Sequence, residues 1–329
     1  MQVMSNSPFI SNCTADAIRD AALALKAGYL VAFPTETVYG LGADARNPEA
    51  IKRIYEVKGR PTGHPLIVHI SSLNQLDKWA IDIPEYAIKL ARKFWPGPMT
   101  LILKRSEIAG DFITGGQDTV GLRVPSDPIA LALIAEFEKI SNSAIAAPSA
   151  NRFGQVSPTS SADVQEELGR YLGSADQILD GGNSSIGIES TIIDCTSDSP
   201  SILRKGAVTR SEIVAILGDI ISTKSSSERK FSGSFDKHYS PLAEVILDVE
   251  PSGSDGYIAL STIPTPINVF RLSSPQDIED FARSLYSSLR KADQSGIGRI
   301  VVAQPKGEGL AEAIRDRLAK AANGRLKIE

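Results

Sequence analysis

An alternation of short apolar segments with amphipathic helical segments constrains this fold more than any other feature, and it begins at Thr14. The first helical pattern is ADAIRDAALALKAG, and the apolar run YLVAF follows it. The same order returns in NPEAIKRIYEV and PLIVHI, and again in IPEYAIKLARKFW and MTLIL. Helices that alternate with strands cover the faces of a shared sheet. The pattern therefore predicts an α/β fold with a large, partly parallel or mixed sheet.

Polar residues stand where the predicted helices need an N-terminal cap. Thr14 precedes the first helix, Ser126 opens SDPIALALIAEF, and Thr209 with Glu212 forms a capping box in TRSEIVAIL. A side-chain oxygen at such a position accepts a hydrogen bond from a backbone N–H that the helix leaves free. We expect helices to begin at these three places.

A polar, serine-rich segment, STKSSSERKFSGSFDKHYSP, ends the alternation and has the composition of a linker. A shorter α/β pattern follows, with the strand-like runs AEVILDV, GYIAL, INVFRL and RIVVAQP. The sequence predicts a main domain over residues 1–210 and a helix and linker over residues 211–241 that carries HYSP. It also predicts a smaller, Rossmann-like α/β domain over residues 242–329.

The composition is that of an ordinary globular protein, with 42% hydrophobic and 22% charged residues. A net charge of -4 gives no sign of nucleic-acid binding, although it is compatible with a local basic patch. Cys13 and Cys195 are expected to be reduced and buried. The N-terminus lacks the pattern of a signal peptide, and no apolar run suits a membrane span, so we expect a cytoplasmic protein without membrane contact.

The common site motifs are missing from the sequence. No glycine-rich turn ends in Gly-Lys-Ser/Thr, and GEGLAE has too few glycines for a dinucleotide fingerprint. The two cysteines and the pair His64 and His69 do not have the spacing of a zinc site. A G-x-S-x-G hydrolase motif is also missing.

Six segments instead combine hydroxyls, glycines and spaced cations near strand ends: FPTETVYGLG, KGRPTGHPL, TVGLRVPSD, APSANRFGQVSPTS, GIESTIID and SILRKGAV. Hydroxyls and backbone N–H groups bind phosphate oxygens, and guanidinium groups bind them in pairs. Ligands of open α/β sheets bind at strand ends. The combination predicts a site for a polyanionic substrate.

Each of these residues also has an ordinary structural explanation when it is taken alone. Thr37 suits a turn, Ser157 suits a helix cap, and His69 suits a core position. Lys58 and Arg60 suit the C-terminus of a helix, where cations are favoured. A half-buried arginine such as Arg123 needs an anionic partner, and the coincidence of six such segments favours a binding site.

Seven stretches, in chain order, resemble the YrdC/Sua5 family: FPTETVYGLG, KGRPTGHPLIVHI, FWPGPMTLIL, VGLRVP, APSANRFGQVSPT, GIESTIID and ILRKGAV. The similarity runs from about Ala17 to Val208. HYSP and the trailing α/β unit resemble the two-domain Sua5 branch rather than the single-domain YrdC branch. The resemblance implies a twisted, open mixed sheet with a concave, positively charged cavity.

The resemblance further implies a nucleotidyltransferase, L-threonylcarbamoyladenylate synthase. Such an enzyme joins L-threonine, bicarbonate and ATP into threonylcarbamoyl-AMP and releases pyrophosphate. Mg²⁺ is expected on the ATP phosphates, held mostly through substrate oxygens and water. Other proteins would then transfer the threonylcarbamoyl group to tRNA, and a weak direct contact with tRNA is left open.

The family's contacts carry over to matching positions. Residues expected to bind L-threonine are Thr37, His69, Arg123, Ala147 and Ser190. Residues expected to bind ATP are Lys58, Arg60, His64, Thr119, Ser149, Asn151, Ser157, Arg204 and Tyr239. His64 stands where the single-domain branch commonly has asparagine. No general base, covalent nucleophile or metal ligand is identified, so catalysis by positioning and charge is expected, with the linker around HYSP as a lid over the site.

Two other functions stay open at this point. The first is an RNA-binding module that uses the cationic cavity without chemistry, although a basic net charge and interleaved aromatics are missing. The second is a carbamoyl-handling domain of another pathway, as found in hydrogenase maturation proteins. Release of pyrophosphate that depends on both L-threonine and bicarbonate would distinguish the three functions.

Overall fold

A computed structural model of the chain describes residues 8–221, 230–231, 233 and 239–323. Its helices are α1 (Ala15–Lys26), α2 (Pro48–Lys58), α3 (Leu76–Trp79), α4 (Glu85–Phe94), α5 (Asp111–Thr114), α6 (Pro128–Ser141), α7 (Ser161–Leu168), α8 (Arg210–Leu217), α9 (Ile278–Gln294) and α10 (Leu310–Ala322). Its strands are β1 (Phe9–Asn12), β2 (Val31–Phe33), β3 (Gly40–Asp44), β4 (Ile67–His69), β5 (Ala80–Ile81), β6 (Met99–Arg105), β7 (Thr119–Arg123), β8 (Ile145–Ala146), β9 (Gln177–Asp180), β10 (Thr191–Asp194), β11 (Ser201–Arg204), β12 (Glu244–Leu247), β13 (Gly256–Ile258), β14 (Phe270–Ser273) and β15 (Arg299–Val302).

Eleven strands form one mixed sheet in the order β1-β9-β2-β3-β8-β4-β7-β6-β10-β11, with β5 paired to β6. The sheet contains parallel pairs, such as β4 with β7, and antiparallel pairs, such as β6 with β7. The large mixed sheet that the sequence predicts is therefore confirmed. Its parallel pairs place the carboxyl ends of neighbouring strands at one edge, where ligands of open α/β sheets bind.

The two faces of β2 show how the chain covers this sheet. Val31 and Phe33 pack against α1 and α6, where Phe137 is fully buried. Ala32, between them, belongs to a second core that includes Ile54 of α2. Successive residues of a strand point to opposite faces, so each face of the sheet has its own helical layer. Truncation of Phe137 to alanine would cost about 3–5 kcal/mol of stability.

The helix caps agree with the sequence in two places and differ in a third. Thr14 accepts a hydrogen bond from Ala17 N, and the capping box of Thr209 and Glu212 is complete. The cap of α6 is Asp127, however, and the prediction of Ser126 is wrong. Pro128 occupies the first turn of that helix, and its neighbour Asp127 can accept from two free N–H groups with one carboxylate oxygen.

The C-terminal part of the chain forms a separate sheet of four parallel strands in the order β12-β15-β13-β14. This arrangement agrees with the smaller α/β unit that the sequence predicts. Its core also contains Val38, Val156 and Ile188 of the larger unit, and Tyr239. The two units therefore share buried apolar contacts. The predicted boundaries at residues 210 and 241 stay predictions, and His238 of HYSP lies outside the described residues.

The sulfur chemistry of the chain is simple. Cys13 and Cys195 are both free thiols. Cys195 is buried, as expected, whereas Cys13 is only half-buried and donates to the carbonyl of Asp180. Burial raises the pKa of both thiols, which keeps them protonated at neutral pH. Among the described residues, no helix is both long enough and apolar enough to cross a bilayer.

Candidate active site

A cavity opens where the carboxyl ends of β4 and β7 meet. These strands are parallel and pair His69 with Arg123, so both side chains reach the same edge of the sheet. Nine of the residues predicted to bind substrates line this cavity: Thr37, Arg60, His69, Arg123, Ala147, Ser149, Ser190, Arg204 and Tyr239. The set includes all five residues expected to bind L-threonine. Segments far apart in sequence therefore meet at one site, although their binding roles stay predictions.

Three guanidinium groups, from Arg60, Arg123 and Arg204, line this single cavity. Each of the three side chains is buried, with 8% or less of its surface exposed. Burial lowers the pKa of Arg60 to about 10, which still leaves it charged at neutral pH. Concentrated, poorly solvated positive charge favours a ligand that carries several negative oxygens.

The loop from β2 to β3 contributes two threonine hydroxyl groups to the cavity wall. The hydroxyls of Thr35 and Thr37 lie 2.8 Å apart, and Thr35 also donates to the carbonyl of Val38 at 2.6 Å. Backbone N–H groups of Thr37 and Val38 donate back to the Thr35 oxygen. The turn is thus fixed by Thr35, and this leaves Thr37 placed on the cavity wall.

His69 and Arg123 line the cavity from paired positions of β4 and β7. Burial, and then the charge of Arg123, lower the pKa of His69 to about 3, so its imidazole is neutral at pH 7. Its Nδ1 atom has no hydrogen-bond partner within the part of the chain that the structure describes. Arg123 approaches Glu36 at 2.8 Å. A buried nitrogen without an aligned hydrogen bond is rare, and His69 lines a cavity in which a ligand could supply one.

Ser190 lies immediately before β10, where Arg204 and Thr100 hold its side chain. Arg204 donates to the carbonyl of Ser190 at 3.0 Å and to its hydroxyl at 3.1 Å. The hydroxyls of Ser190 and Thr100 lie 2.8 Å apart. Because β10 is paired with both β6 and β11, the sheet itself brings Thr100 and Arg204 to Ser190.

Lys58 lies behind the cavity wall at the C-terminus of α2. Its ammonium donates to the carbonyls of Ser149, at 2.5 Å, and Asn151. Burial, and then the neighbouring charge of Arg60, lower the pKa of Lys58 well below its usual value. No carboxylate among the described residues lies within ion-pair distance of Lys58. A buried ammonium held by carbonyls alone is costly, and an anionic ligand nearby would stabilise it.

Five of the predicted ATP-binding residues do not line the cavity: Lys58, His64, Thr119, Asn151 and Ser157. His64 precedes β4 and Thr119 begins β7, so they lie at the strand ends opposite to His69 and Arg123. The Asn151 amide oxygen accepts from the Ser149 hydroxyl at 2.5 Å. Ser157 does not cap the helix that follows, because Ser160 does.

Of the described cavity residues that were not predicted to bind substrates, one is charged. Glu189, in GIESTIID, lines the cavity beside Ser190. Its carboxylate accepts hydrogen bonds from Ser157 at 2.6 Å, from Tyr286 at 2.8 Å and from Arg317 at 2.8 Å. The sequence signal that could have identified Glu189 is a carboxylate inside a segment that is predicted to bind anions. Its partners in α9 and α10 are 97 and 128 residues away along the chain, and no local sequence pattern predicts these contacts.

The described residues contain no cluster of three or more His, Cys, Asp or Glu side chains that could hold a metal ion. The carboxylates nearest the cavity are already engaged, Glu36 by Arg123 and Glu189 by Arg317.

Family models match the chain in two parts. A model described as telomere recombination matches residues 23–206, and a model described as the C-terminal domain of threonylcarbamoyl-AMP synthase matches residues 208–323. The chain is 42% identical to the threonylcarbamoyl-AMP synthase of Pyrococcus abyssi, over 94% of this chain and 95% of that one. It is 38% identical to the Bacillus subtilis protein of the same name, over 94% of both chains.

Solved structures agree with these sequence comparisons. The crystal structure of Pyrococcus abyssi Sua5 complexed with L-threonine matches with a TM-score of 0.86 and 41% identity, over 96% of this chain and 98% of that one. A structure of the same archaeal protein with two alanine substitutions matches with a TM-score of 0.84 and 38% identity, over 97% of both chains. The chain belongs to the Sua5 family of threonylcarbamoyl-AMP synthases.

Proposed function

We propose that this protein is a threonylcarbamoyl-AMP synthase that joins L-threonine, bicarbonate and ATP and releases pyrophosphate. The product would serve threonylcarbamoyladenosine modification of tRNA. The observation that carries the proposal is the meeting of Arg60, Arg123 and Arg204 in one cavity. Substrates with a carboxylate and a triphosphate need several fixed cations in one place, which a single surface charge does not supply.

We place L-threonine at the carboxyl ends of β4 and β7, beside His69 and Arg123. The guanidinium of Arg123 suits the substrate carboxylate, because arginine presents two parallel donors to such a group. The neutral imidazole of His69 can exchange a hydrogen bond with the amino or hydroxyl group of threonine. Thr37, Ser190 and the backbone of Ala147 complete this end of the wall.

We place ATP beside Arg60, Arg204 and Ser149, which line the cavity. Lys58 is behind Ser149 and holds its carbonyl, so it supports the loop as well as adding positive charge. The contacts expected of His64, Thr119, Asn151, Ser157 and Tyr239 belong to the same proposal. Mg²⁺ would enter with ATP, bound to phosphate oxygens and water, and would offset part of the triphosphate charge.

The chemistry needs positioning more than a reactive side chain. The amine of threonine attacks the bicarbonate carbon, and water leaves as the carbamate forms. A carbamate oxygen then attacks the α-phosphorus of ATP, and pyrophosphate leaves. His69 is neutral and buried, and the cationic groups are fixed by hydrogen bonds such as that from Arg60 to the carbonyl of Pro65 at 3.0 Å. Fixed charges of this kind stabilise developing negative charge without rearrangement.

The decisive experiment measures pyrophosphate release from ATP by the purified chain. We expect release only when L-threonine and bicarbonate are both present, and we expect Arg123→Met to abolish it. A chain that binds RNA but releases no pyrophosphate would favour the RNA-binding alternative. Release that is independent of threonine would favour carbamoyl chemistry of another pathway.

The proposal places the protein in the cytoplasm, where ATP and newly made tRNA are available. Its product is a reactive mixed anhydride, so a second protein must take the threonylcarbamoyl group to tRNA. The chain's net charge of -4 favours at most a weak direct contact with tRNA.

A further inference from the structure

Two side chains of the smaller unit reach into the cavity wall of the larger unit. Tyr286 of α9 and Arg317 of α10 both donate to Oε2 of Glu189, each at 2.8 Å. Arg317 is fully buried and also donates to the carbonyl of Lys205 at 2.9 Å. A buried guanidinium is expensive to place unless it is paired and hydrogen-bonded. The contact is therefore a specific one, which the shared apolar core alone would not require.

The same two side chains hold a second cavity residue, Tyr239. The rings of Tyr239 and Tyr286 are stacked, with centroids 5.6 Å apart and an angle of 24° between their planes. The guanidinium of Arg317 lies 5.3 Å from the centre of the Tyr239 ring. Tyr239 is fully buried and lines the cavity. Stacking and cation–π contacts restrict the ring to one orientation.

Within the larger unit, Glu189 connects these contacts to the substrate side. Its Oε1 accepts from Ser157 at 2.6 Å, and the next residue is Ser190. Burial alone would raise the pKa of Glu189, but the charges of Arg317 and Arg204 and the Ser157 hydrogen bond lower it to about 2. The carboxylate is therefore ionised at neutral pH. It is held by groups from both units, and its position depends on how they meet.

We propose that Tyr286 and Arg317 are positioning residues of the active site, which hold Glu189 and Tyr239 beside Arg204, an arginine of the ATP part of the cavity. The smaller unit is then a part of the site, and the nucleotide end of the cavity is complete only when this unit is in place. The inference rests on the proposed function for the identity of the nucleotide. Among the described residues, the hydrogen bonds of the two positioning residues go to Glu189, Lys205 and Asp316, and none goes to His69 or Arg123 of the threonine end.

The first test compares two affinities of the full-length protein. Calorimetry with MgATP measures ATP binding, and a separate titration measures L-threonine binding. Tyr286→Phe removes one hydrogen bond to a buried carboxylate and keeps the stacked ring. We expect it to weaken ATP binding about tenfold, as for loss of a hydrogen bond to a charged group, with threonine binding changed less than about twofold. Arg317→Met should weaken ATP binding further, and Arg317→Lys should restore part of the loss.

Two control variants each remove a contact between the same two units that does not involve Glu189. Glu312→Gln, in α10, removes an exposed ion pair to Lys205 at 3.4 Å, and Gln294→Ala, in α9, removes a hydrogen bond to Glu166 at 2.8 Å. Both should leave ATP binding and turnover unchanged. Loss of ATP affinity in these controls equal to that in Tyr286→Phe would overturn the proposal, because docking of the units would then be the only requirement.

A double-mutant cycle tests whether Tyr286 acts through Glu189. In a Glu189→Gln background, Tyr286→Phe should change ATP affinity by less than about twofold, since coupled residues are not additive. Additive losses, or equal losses of ATP and threonine binding with a lowered Tm, would count against a positioning role. Pyrophosphate release by the unmodified protein is measured in parallel. If the unmodified protein releases no pyrophosphate, the proposed function is rejected. The double-mutant cycle of ATP binding tests the positioning role independently of that result.

Discussion

A terminal nitrogen of Arg123 lies 2.8 Å from a carboxylate oxygen of Glu36, and both side chains are about 95% buried beside the cavity. The approach is close, but neither the Glu36 oxygens nor the Nε of Arg123 make an aligned hydrogen bond with the described residues. Glu36 therefore compensates the charge of Arg123, while Nε and the terminal nitrogen of the pair still lack an aligned hydrogen bond among the described residues. A substrate carboxylate beside Arg123 would supply the missing acceptor.

The first prediction concerns this pair. Glu36→Gln removes the compensating charge and leaves Arg123 buried without an anion, which should destabilise the fold by about 3 kcal/mol. Unfolding in urea measures this loss. Because L-threonine would bring a carboxylate to Arg123, saturating threonine should recover part of the lost stability. Asp82→Asn, which breaks the exposed pair with Lys104 at 3.1 Å, is the matched control and should cost less than about 1 kcal/mol. A threonine effect no larger in Glu36→Gln than in the unmodified protein would contradict the assignment of Arg123.

The second prediction concerns stability in acid. The pKa of His69 is about 3 in the folded protein, against 6.5 for an ordinary histidine, because the site is buried and Arg123 is near. Between these pH values His69 is protonated in the unfolded chain and neutral in the folded protein. Stability should therefore fall as pH drops from about 6.5 towards 3, by up to about 1.4 kcal/mol per pH unit from this residue.

His69→Gln should remove this contribution and flatten the acid limb of the stability curve. Denaturant unfolding at several pH values, for both proteins, gives the comparison. The measurement uses the difference between the two curves, because carboxylates also titrate in this range. Identical slopes for His69→Gln and the unmodified protein would show that His69 is not held neutral by the fold.

The fold of this chain was largely accessible from its sequence, because helix periods, caps and apolar runs are local signals. Thr14 and the box of Thr209 and Glu212 are placed as predicted. The Ser126 prediction failed because two adjacent residues can both cap a helix, and only the backbone geometry decides between them. Short strands such as β5, with two residues, carry too little pattern to be seen.

The site was accessible only in part. Motif residues such as Arg123 and Ser190 could be named, and the sheet brings them together. Glu189 was missed because its significance comes from Tyr286 and Arg317, which reach it from the other unit. Tertiary contacts between distant segments leave no period or spacing in the sequence. The same reason explains why the place of Thr119, at the far end of β7 from Arg123, could not be read from its motif.

The third prediction concerns proton uptake by Lys58. Burial and Arg60 lower the pKa of Lys58 well below its ordinary value, so part of the population can lose its charge at alkaline pH. Phosphate oxygens near this ammonium would raise its pKa again. ATP binding at alkaline pH should therefore take up protons. Calorimetry in buffers of different ionisation enthalpy measures the uptake.

Lys58→Met is the matched variant for this measurement, because methionine keeps much of the length of the side chain and cannot titrate. It should bind ATP more weakly and with less proton uptake. His64, whose pKa burial lowers to about 4, is neutral in this pH range and contributes nothing to the signal. Equal uptake by Lys58→Met and the unmodified protein would assign the proton to another group.

The last prediction concerns Tyr239, whose ring lies between the smaller unit and the cavity. Tyr239→Ala removes a fully buried ring that stacks on Tyr286, and it opens the nucleotide end of the site to water. The carbamate intermediate decomposes in water, so the yield of threonylcarbamoyl-AMP per ATP consumed should fall several-fold. L-threonine binding should hold, since Arg123 and His69 are elsewhere in the cavity. Tyr239→Phe keeps the ring and should retain most of the yield. Product yield and threonine affinity are measured on the same preparations, and an equal loss of both would reject a role for Tyr239 in closing the site.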